Sequence, residues 1–313
     1  MKIGLLLPTR EAVMAGQYDA APQLELADRA EAAGFDSVWA GDSLLARPRF
    51  EPLTLLAAVA ARTRRVALGT AVLVAPLRNP VLLAHSAATL DRISQGRLIL
   101  GVGFGTRNAR VEHEFGAADA DYARRAGRMR ELMEICRLLW HGDPVNFEGR
   151  YWNLEDATLV PTPHRPGGPP FWVGGGGPTS IRIAGRYAEG YFPNCATPDT
   201  LRSAWRTVQR EAPAGTRPVL AFYATLNVTP DAARGQRELE TFIESYYGAP
   251  YAALSRRQGC FAGSADACVE WLAPFLEQGV EHLVLRMGGG DPAVQFQRTT
   301  SELLPRLRAL RGK

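Results

Sequence analysis

The chain has 313 residues, of which 46% are hydrophobic and 22% are charged, and its formal net charge at pH 7 is +4. This composition suits a folded protein with a large core, and the lack of a concentrated basic run or an aromatic RNA-binding motif argues against nucleic-acid binding. No stretch approaches the roughly 20 apolar residues of a membrane span, and the short apolar run before Pro8 lacks a cleavage-site pattern, so we expect a cytoplasmic protein.

Missing residue types exclude several mechanisms. The only lysines are Lys2 and Lys313, at the two ends of the sequence, so no internal lysine is available for a Schiff base, for pyridoxal phosphate or for a phosphate-binding P-loop. The four cysteines are scattered and form no CxxC pair, which predicts buried free thiols. Because no HExxH motif or Cys/His cluster occurs, we expect no metal site.

Short apolar runs alternate with longer amphipathic patterns along the chain. The apolar runs predict eight strands, at residues 2–8, 36–42, 65–74, 96–103, 170–175, 189–194, 218–228 and 281–289. The amphipathic patterns predict helices at 20–33, 51–63, 79–94, about 122–141, 178–187, 265–278 and about 292–311, with a broken helical stretch over 231–258. Gly34 suits the end of the first helix, and Asn79 and Pro80 suit the cap and first position of the third.

Eight strands that alternate with helices over about 300 residues predict an α/β fold, a (β/α)8 TIM barrel. We expect a single domain over residues 1–313, with loop insertions at about 104–121, 142–169 and 229–262, the second of which contains a hairpin. The alternative is an open doubly wound sheet. Against it, no GxGxxG motif follows the first predicted strand, where a dinucleotide-binding sheet would carry it.

Glycines follow several predicted strands, and the densest group is the run of four in "FWVGGGGPTS". A glycine-rich turn that leads into a helix presents free backbone N–H groups and a positive dipole end to an anion. Gly175, Gly176 and Gly177 are therefore candidates for binding a cofactor phosphate, with a hydroxyl contribution from Thr179 or Ser180. The alternative interpretation is a tight strand-to-helix turn without a ligand.

A second glycine-rich loop, "GVGFGTRN", follows the fourth predicted strand. Gly103, Phe104 and Gly105 would lie beside the first loop in a barrel. Arg107 could meet a phosphate or carboxylate with its planar guanidinium group, or form a surface ion pair instead. Next along the chain, His113 could line a pocket, and aromatic residues around the insertions could wall it: Phe104, Phe115, Tyr122, Tyr151 and Trp152.

Five segments together resemble the bacterial luciferase-like family of flavin- and deazaflavin-dependent oxidoreductases. They are "AAGFDSVWAGDS", "LGTAVLV" with "RNPVLLAHSAATLDRISQGRLILGVGFG", "GRYWNLEDATLVPTP", "FWVGGGG" and "GVEHLVLR". The resemblance covers about residues 2–288 and is most specific over 68–105. It implies a (β/α)8 barrel with insertions and a cofactor phosphate held after strands four and five. It also implies either reduced FMN with oxygen or the deazaflavin F420 as a hydride carrier.

The resemblance also implies individual site residues. A non-prolyl cis peptide is expected in the third strand, at Ala71-Val72, where it supports the central ring of the cofactor. Asp42 and Ser43 would approach the reacting face as catalytic residues. The implied cofactor-binding residues are Thr70, Ala71, Val72, Gly103, Phe104, Gly105, Arg107, Gly175, Gly176, Gly177 and Ser180.

Position 43 departs from the pattern of several F420-dependent members, which carry a histidine there. A serine hydroxyl is a poor proton donor near pH 7, whereas histidine is well suited. The sequence therefore favours a reduced-FMN-dependent monooxygenase that oxygenates a small organic substrate and is supplied by a separate flavin reductase. The alternatives are an F420-dependent oxidoreductase that transfers a hydride without oxygen, and a non-catalytic flavin-binding or partner subunit. A homodimer is expected from the resemblance alone.

Overall fold

A computed structural model describes residues 1–310 and shows a closed barrel of eight parallel strands surrounded by helices. The predicted (β/α)8 barrel is therefore confirmed, and the open sheet is wrong. The barrel strands are β1 (Lys2–Leu6), β2 (Ser37–Ala40), β3 (Ala67–Thr70) with its short continuation β4 (Leu73–Val74), β5 (Leu98–Gly103), β8 (Phe171–Gly174), β9 (Gly190–Phe192), β10 (Val219–Val228) and β12 (His282–Met287). The other strands are β6 (Val145–Glu148), β7 (Asn153–Ala157) and β11 (Gly259–Gly263).

Strand pairing closes the barrel without a free edge. β1 pairs with β2 on one side and with β12 on the other, and the order continues through β3, β5, β8, β9 and β10 back to β12. β11 is an addition: it pairs in parallel with residues 224–228 of β10, while residues 219–220 of the same strand pair with β9. β6 and β7 form the antiparallel hairpin predicted within 142–169.

The helices form the outer layer. They are α1 (Thr9–Met14), α2 (Ala21–Ala33), α3 (Pro52–Arg62), α4 (Pro80–Ser94), α5 (Ala109–Ala117), α6 (Arg125–Leu139), α7 (Pro178–Tyr187), α8 (Pro198–Glu211), α9 (Ala232–Tyr247), α10 (Tyr251–Leu254), α11 (Ala265–Leu276), α12 (Pro292–Arg298) and α13 (Leu304–Ala309). Two boundary predictions are confirmed. Gly34 ends α2 in a left-handed conformation, and Asn79 caps α4 by accepting from the N–H of Val81 at 2.9 Å. Within residues 1–310, none of the helices is long and apolar enough to cross a membrane.

Some elements differ from the sequence prediction. The third strand is interrupted after Thr70, and α1, α5, α8 and β11 were not predicted. The predicted final helix is divided by a π-helical turn at 299–303, and its last residue, 311, lies outside the described residues. The predicted insertions hold α5 in 104–121, the hairpin in 142–169, and α9, α10 and β11 in 229–262.

Aromatic side chains fill the interior of the barrel. Trp39 is fully buried there, with its ring 5.5 Å from that of Trp172 and 5.0 Å from that of Phe192. Gly69 on the neighbouring strand makes room for it, because a Cβ atom at Gly69 would lie 2.0 Å from the Trp39 ring. This packed layer closes the barrel below its C-terminal end, and Phe192 also lines the cavity above it.

Candidate active site

A cavity of about 490 Å³ opens at the C-terminal ends of the barrel strands, where (β/α)8 enzymes place their active sites. Segments from four predicted strand ends line it, at 42–43, 71–72 with 74, 103–106 and 174–180. Further lining residues come from the end of α9 and from β9 and β10. The structure thus brings most of the predicted site residues to one place.

The peptide bond between Ala71 and Val72 is cis, as the family resemblance implied. It separates β3 from β4 and places Ala71 and Val72 in the cavity wall. Glycines on the adjacent strands accommodate Val72: a Cβ atom at Gly103 would lie 2.9 Å from its side chain, and one at Gly174 would lie 3.0 Å away. Packing against the Val72 side chain therefore explains the glycines at positions 103 and 174.

The glycine run after β8 provides a cradle of bare backbone at the cavity wall. Gly175 has a φ of +109°, which favours glycine, but a Cβ atom at Gly176 would meet no atom within 4 Å in the described chain. The backbone conformation therefore explains the glycine at position 175, whereas neither conformation nor packing explains the one at position 176. Gly177 is the cap residue of α7 and supplies no side-chain hydrogen bond, so the helix leaves N–H groups of its first turn for an outside acceptor.

The α7 terminus fits a phosphate better through its backbone than through its hydroxyl groups. Pro178 occupies the first helical position and has no N–H, which leaves the N–H groups of Thr179 and Ser180 facing the N-terminal end. The Ser180 hydroxyl donates to the Gly177 carbonyl at 2.9 Å and is therefore already engaged within the turn. Ser180 lines the cavity as predicted, but with its backbone as the available donor.

The loop after β5 contributes Gly103, Phe104 and Gly105 to the cavity, next to the glycine cradle. Two other predicted cofactor residues lie elsewhere. Arg107 is exposed and outside the cavity lining, and Thr70 is fully buried with its hydroxyl donating to the Gly101 carbonyl at 2.7 Å. Thr70 therefore joins two strands, and direct contact of either side chain with a cofactor stays a prediction.

Asp42 lies at the cavity edge in a buried ion pair. Its carboxylate accepts two hydrogen bonds from the Arg78 guanidinium, one of them at 2.8 Å, and a third from the backbone N–H of Val74 at 2.8 Å. The Asp42 side chain is only 2% exposed. The carboxylate thus holds β4 and the chain after it in place, and this geometry favours a positioning role over the catalytic role that the sequence predicted.

Ser43 forms the most unusual contact in the cavity. Its hydroxyl donates to the carboxylate of Glu114, at 3.2 Å to Oε1, and accepts from the backbone N–H of Arg47 at 2.8 Å. Glu114 is 1% exposed, lines the cavity and also accepts from the backbone N–H groups of Leu44 and Leu45. A carboxylate from α5 therefore stands beside position 43, where the family resemblance led us to compare serine with histidine.

The sequence prediction did not include Glu114, although it included the neighbouring residue. His113 was the predicted pocket residue, but its side chain is exposed, whereas Glu114 is buried one position later. The signal was the helical spacing of Val111, Glu114 and Phe115, which places Glu114 on the buried face of α5. Of the predicted aromatic wall only Phe104 lines the cavity; the other aromatic residues that do are Phe192, Tyr223, Tyr246 and Tyr247.

Another part of the cavity wall carries tyrosines and arginines. Tyr223, Tyr246 and Tyr247 line the cavity together with Arg47 and Arg49. Burial raises the pKa of Tyr223 well above its ordinary value, and burial also raises the pKa of Tyr247, although the nearby Arg286 acts against both shifts. Both phenols therefore remain protonated at neutral pH and can donate hydrogen bonds.

Comparison with known proteins shows the family. The profile of the luciferase-like monooxygenase family matches residues 1–267. The chain belongs to this family. A curated member, the F420-dependent glucose-6-phosphate dehydrogenase of Amycolatopsis mediterranei, is 30% identical over 332 residues, covering 95% of this chain and 97% of the relative.

Solved structures of luciferase-like proteins share the fold. An F420-dependent secondary alcohol dehydrogenase in complex with an F420-acetone adduct superposes with a TM-score of 0.82 at 23% identity, covering 98% of this chain and 99% of the other. The monooxygenase RslO1 from Streptomyces bottropensis gives the same TM-score and identity, with coverages of 98% and 100%. The chain is therefore an oxidoreductase of the luciferase-like family, and both predicted cofactor alternatives, FMN and F420, occur in the names of its relatives.

Proposed function

We propose that this oxidoreductase transfers a hydride between F420 and a hydroxyl or carbonyl carbon of a small organic substrate. The observation that carries the proposal is the buried carboxylate of Glu114, which lines the cavity and is hydrogen-bonded to Ser43. The F420 dependence named for the Amycolatopsis mediterranei relative supports the choice of cofactor.

The residues present fit a phosphate-bearing cofactor. Gly176 and the free N–H groups of Thr179 and Ser180 would hold its phosphate, because the space above Gly176 is open and the helix end is uncapped. The wall at Ala71 and Val72 would lie against its ring system. When bound, F420 supplies a two-electron carrier for hydride.

The chain itself must supply the acceptor for the proton that a hydroxyl group loses when it becomes a carbonyl. Glu114 meets this requirement, because its carboxylate faces the cavity and is held by Ser43 and by the N–H groups of Leu44 and Leu45. In the reverse direction the same carboxyl group returns the proton. Ser43 orients the carboxylate, so a histidine at position 43 is not required.

Reduced-FMN-dependent oxygenation is the second candidate, and the apolar base of the cavity favours it. Leu6 and Phe192 line the cavity above the buried layer of Trp39 and Trp172, and a dry apolar surface protects reactive species from water. This candidate needs a separate reductase, whereas the F420 route does not. The non-catalytic alternative disagrees with the assignment of the chain to the oxidoreductases, and the carboxylate in the cavity gives it no support.

The test is an anaerobic assay with F420 and a panel of sugar phosphates, free sugars and secondary alcohols. We expect the deazaflavin absorbance to bleach with one substrate class, and one carbonyl product to form for each F420 reduced. A parallel assay with reduced FMN follows oxygen uptake in the same panel. Oxygen uptake without any F420 reduction would overturn the proposal in favour of the monooxygenase.

A further inference from the structure

Three guanidinium groups, in addition to that of Arg286, gather around two tyrosine rings at one side of the cavity. Arg10 lies 4.8 Å and Arg49 lies 5.8 Å from the ring centre of Tyr246, while Arg47 lies 5.1 Å from that of Tyr247. Arg47, Arg49 and both tyrosines line the cavity, and Arg10 lies against Tyr246. Within residues 1–310, none of the three arginines forms an ion pair with a carboxylate.

Arg10 is the most informative of the three. It is 9% exposed, and its Nε and Nη1 atoms are enclosed with no hydrogen-bond partner in the described chain. Burial is the largest influence on its pKa and lowers it, and the like charges of Arg49 and Arg47 act in the same direction. A buried charge without a partner is costly, and an anion in the adjoining cavity, held by Arg47 and Arg49, would offset that cost through its charge.

Other arginines at the same end of the barrel are paired. Arg78 binds the carboxylate of Asp42, and Arg286 donates to Glu11 at 3.1 Å while lying over Tyr246. Arg78 and Arg286 thus have carboxylate partners within the described part of the chain, whereas Arg10, Arg47 and Arg49 have none. Arg49 donates through Nε to the Arg47 carbonyl at 3.1 Å, which does not neutralise its charge.

The position of these arginines separates them from the cofactor phosphate. Arg10 follows β1, and the glycine cradle follows β8; the closed order β1, β2, β3, β5, β8 places these two strands four steps apart in a barrel of eight. They therefore stand on opposite sides of the opening. An anion held near these arginines would therefore be a different group from the cofactor phosphate at Gly176.

We infer that Arg47 and Arg49, with the positive charge of Arg10 behind Tyr246, form an anion subsite that binds a carboxylate or phosphate group of the substrate. Guanidinium groups match both anions with paired N–H donors, and several together give a strong preference for a doubly charged group. The inference rests on the proposed function in that it names the substrate class of the same cavity. The substrate is thus a hydroxy or carbonyl compound that carries an anionic group at its other end.

The test uses protein saturated with F420, or with FMN if F420 does not bind, so that the glycine cradle is filled. Inorganic phosphate and acetate are titrated separately into this complex by calorimetry. We expect phosphate to bind, and its affinity to fall at least tenfold in Arg49→Gln and Arg47→Gln, with cofactor affinity unchanged. Arg206→Gln, an exposed change on α8, is the matched control and should bind phosphate normally. Tighter binding of acetate than of phosphate would identify a carboxylate as the preferred group.

Three results would overturn the inference. They are no anion binding to the loaded protein, phosphate that binds only by displacing the cofactor, and a loss of cofactor affinity in Arg49→Gln as large as the loss of anion affinity. Arg10→Gln also removes packing on Tyr246, so a loss of anion affinity in this variant counts only if Arg47→Gln, at a less buried position, shows a loss too. If neither cofactor binds, the proposed function fails, and titration of phosphate into Gly176→Ala, whose cradle is obstructed, still tests the arginine subsite.

Discussion

Ser43 and Glu114 are 71 residues apart in the chain, and the hydroxyl of the first donates to the carboxylate of the second at 3.2 Å. The serine follows β2, whereas the glutamate belongs to α5 within the insertion after β5. Because Ser43 also accepts from the N–H of Arg47, its hydroxyl hydrogen is directed to Glu114. An insertion thus delivers a proton-accepting group to the strand end where the sequence lacks a histidine.

Replacing Glu114 tests this proton-transfer role. In Glu114→Gln the amide oxygen can still accept from the N–H groups of Leu44 and Leu45, but it cannot take up a proton. We expect kcat to fall by about 10²- to 10⁴-fold, the usual contribution of a general acid or base, while the Kd for F420 changes little. Glu112→Gln, an exposed change on the same helix, is the control. Wild-type turnover in Glu114→Gln would remove the carboxylate from the mechanism.

Gly176→Ala separates ligand binding from folding. A Cβ atom at Gly176 has open space around it and its φ is not positive, so we expect unchanged thermal stability. The added methyl group would occupy the phosphate cradle and weaken F420 binding at least about tenfold, or about 1.4 kcal/mol. Gly116→Ala in α5 has equally open surroundings and should leave cofactor binding intact while stabilising the helix by about 0.5–1 kcal/mol. Equal cofactor affinity in both variants would support the ligand-free turn.

Asp42→Asn tests whether Asp42 positions the chain or reacts. The change removes the buried charge partner of Arg78, at a site where the two side chains are 2% and 17% exposed, and leaves only the more exposed Glu51 at 3.7 Å. We expect the free energy of unfolding to fall by about 3–5 kcal/mol, measured by chemical denaturation. Asp28→Asn, which breaks the exposed pair with Arg62, should change stability little. A variant with full stability and no turnover would restore the catalytic role predicted from the sequence.

Glu31 gives the stability of the barrel a defined pH dependence. Burial alone would raise the pKa of its carboxyl, but hydrogen bonds from the backbone N–H groups of Val66, Arg65 and Arg64 outweigh it and lower the pKa below 4.5. A lowered pKa means that this stabilisation is complete above the unfolded value and is lost as the pH falls through the folded one. Glu31→Gln should therefore be less stable than wild type near neutral pH, with the difference shrinking in acid. Glu25→Gln is the exposed control on the same helix, and a difference that is constant with pH would contradict this explanation.

The barrel was predictable because most of its strands are apolar runs followed by an amphipathic pattern. The elements that were missed carry weaker signals. In α8 the buried residues Leu201, Ala204 and Val208 have helical spacing, but polar residues surround them. The five residues of β11, "GCFAG", have neither alternation nor flanking turn signals, and their strand conformation comes from pairing with β10. Such pairing is a tertiary property that a single segment does not encode.

The glycine cradle was predictable because a glycine-rich turn between a strand and a helix exposes backbone N–H groups to an anion. The cis peptide was predictable only from the family resemblance. The partners of the predicted polar residues were not predictable. Asp42 contacts Arg78 at a separation of 36 residues, and Ser43 contacts Glu114 at a separation of 71, so each partner is fixed by closure of the barrel. The same closure assembles Arg10 and Arg49 around Tyr246, which comes from α9.

An anaerobic fluorescence titration decides whether this luciferase-like oxidoreductase uses F420, as we propose. The purified protein is titrated with F420 and with FMN, each in its oxidised and its reduced form. We predict saturable F420 binding that is weakened by Gly176→Ala and unaffected by Gly116→Ala. Saturable binding of reduced FMN, with none of F420 in either form, would contradict the claim and make the protein a reduced-flavin monooxygenase.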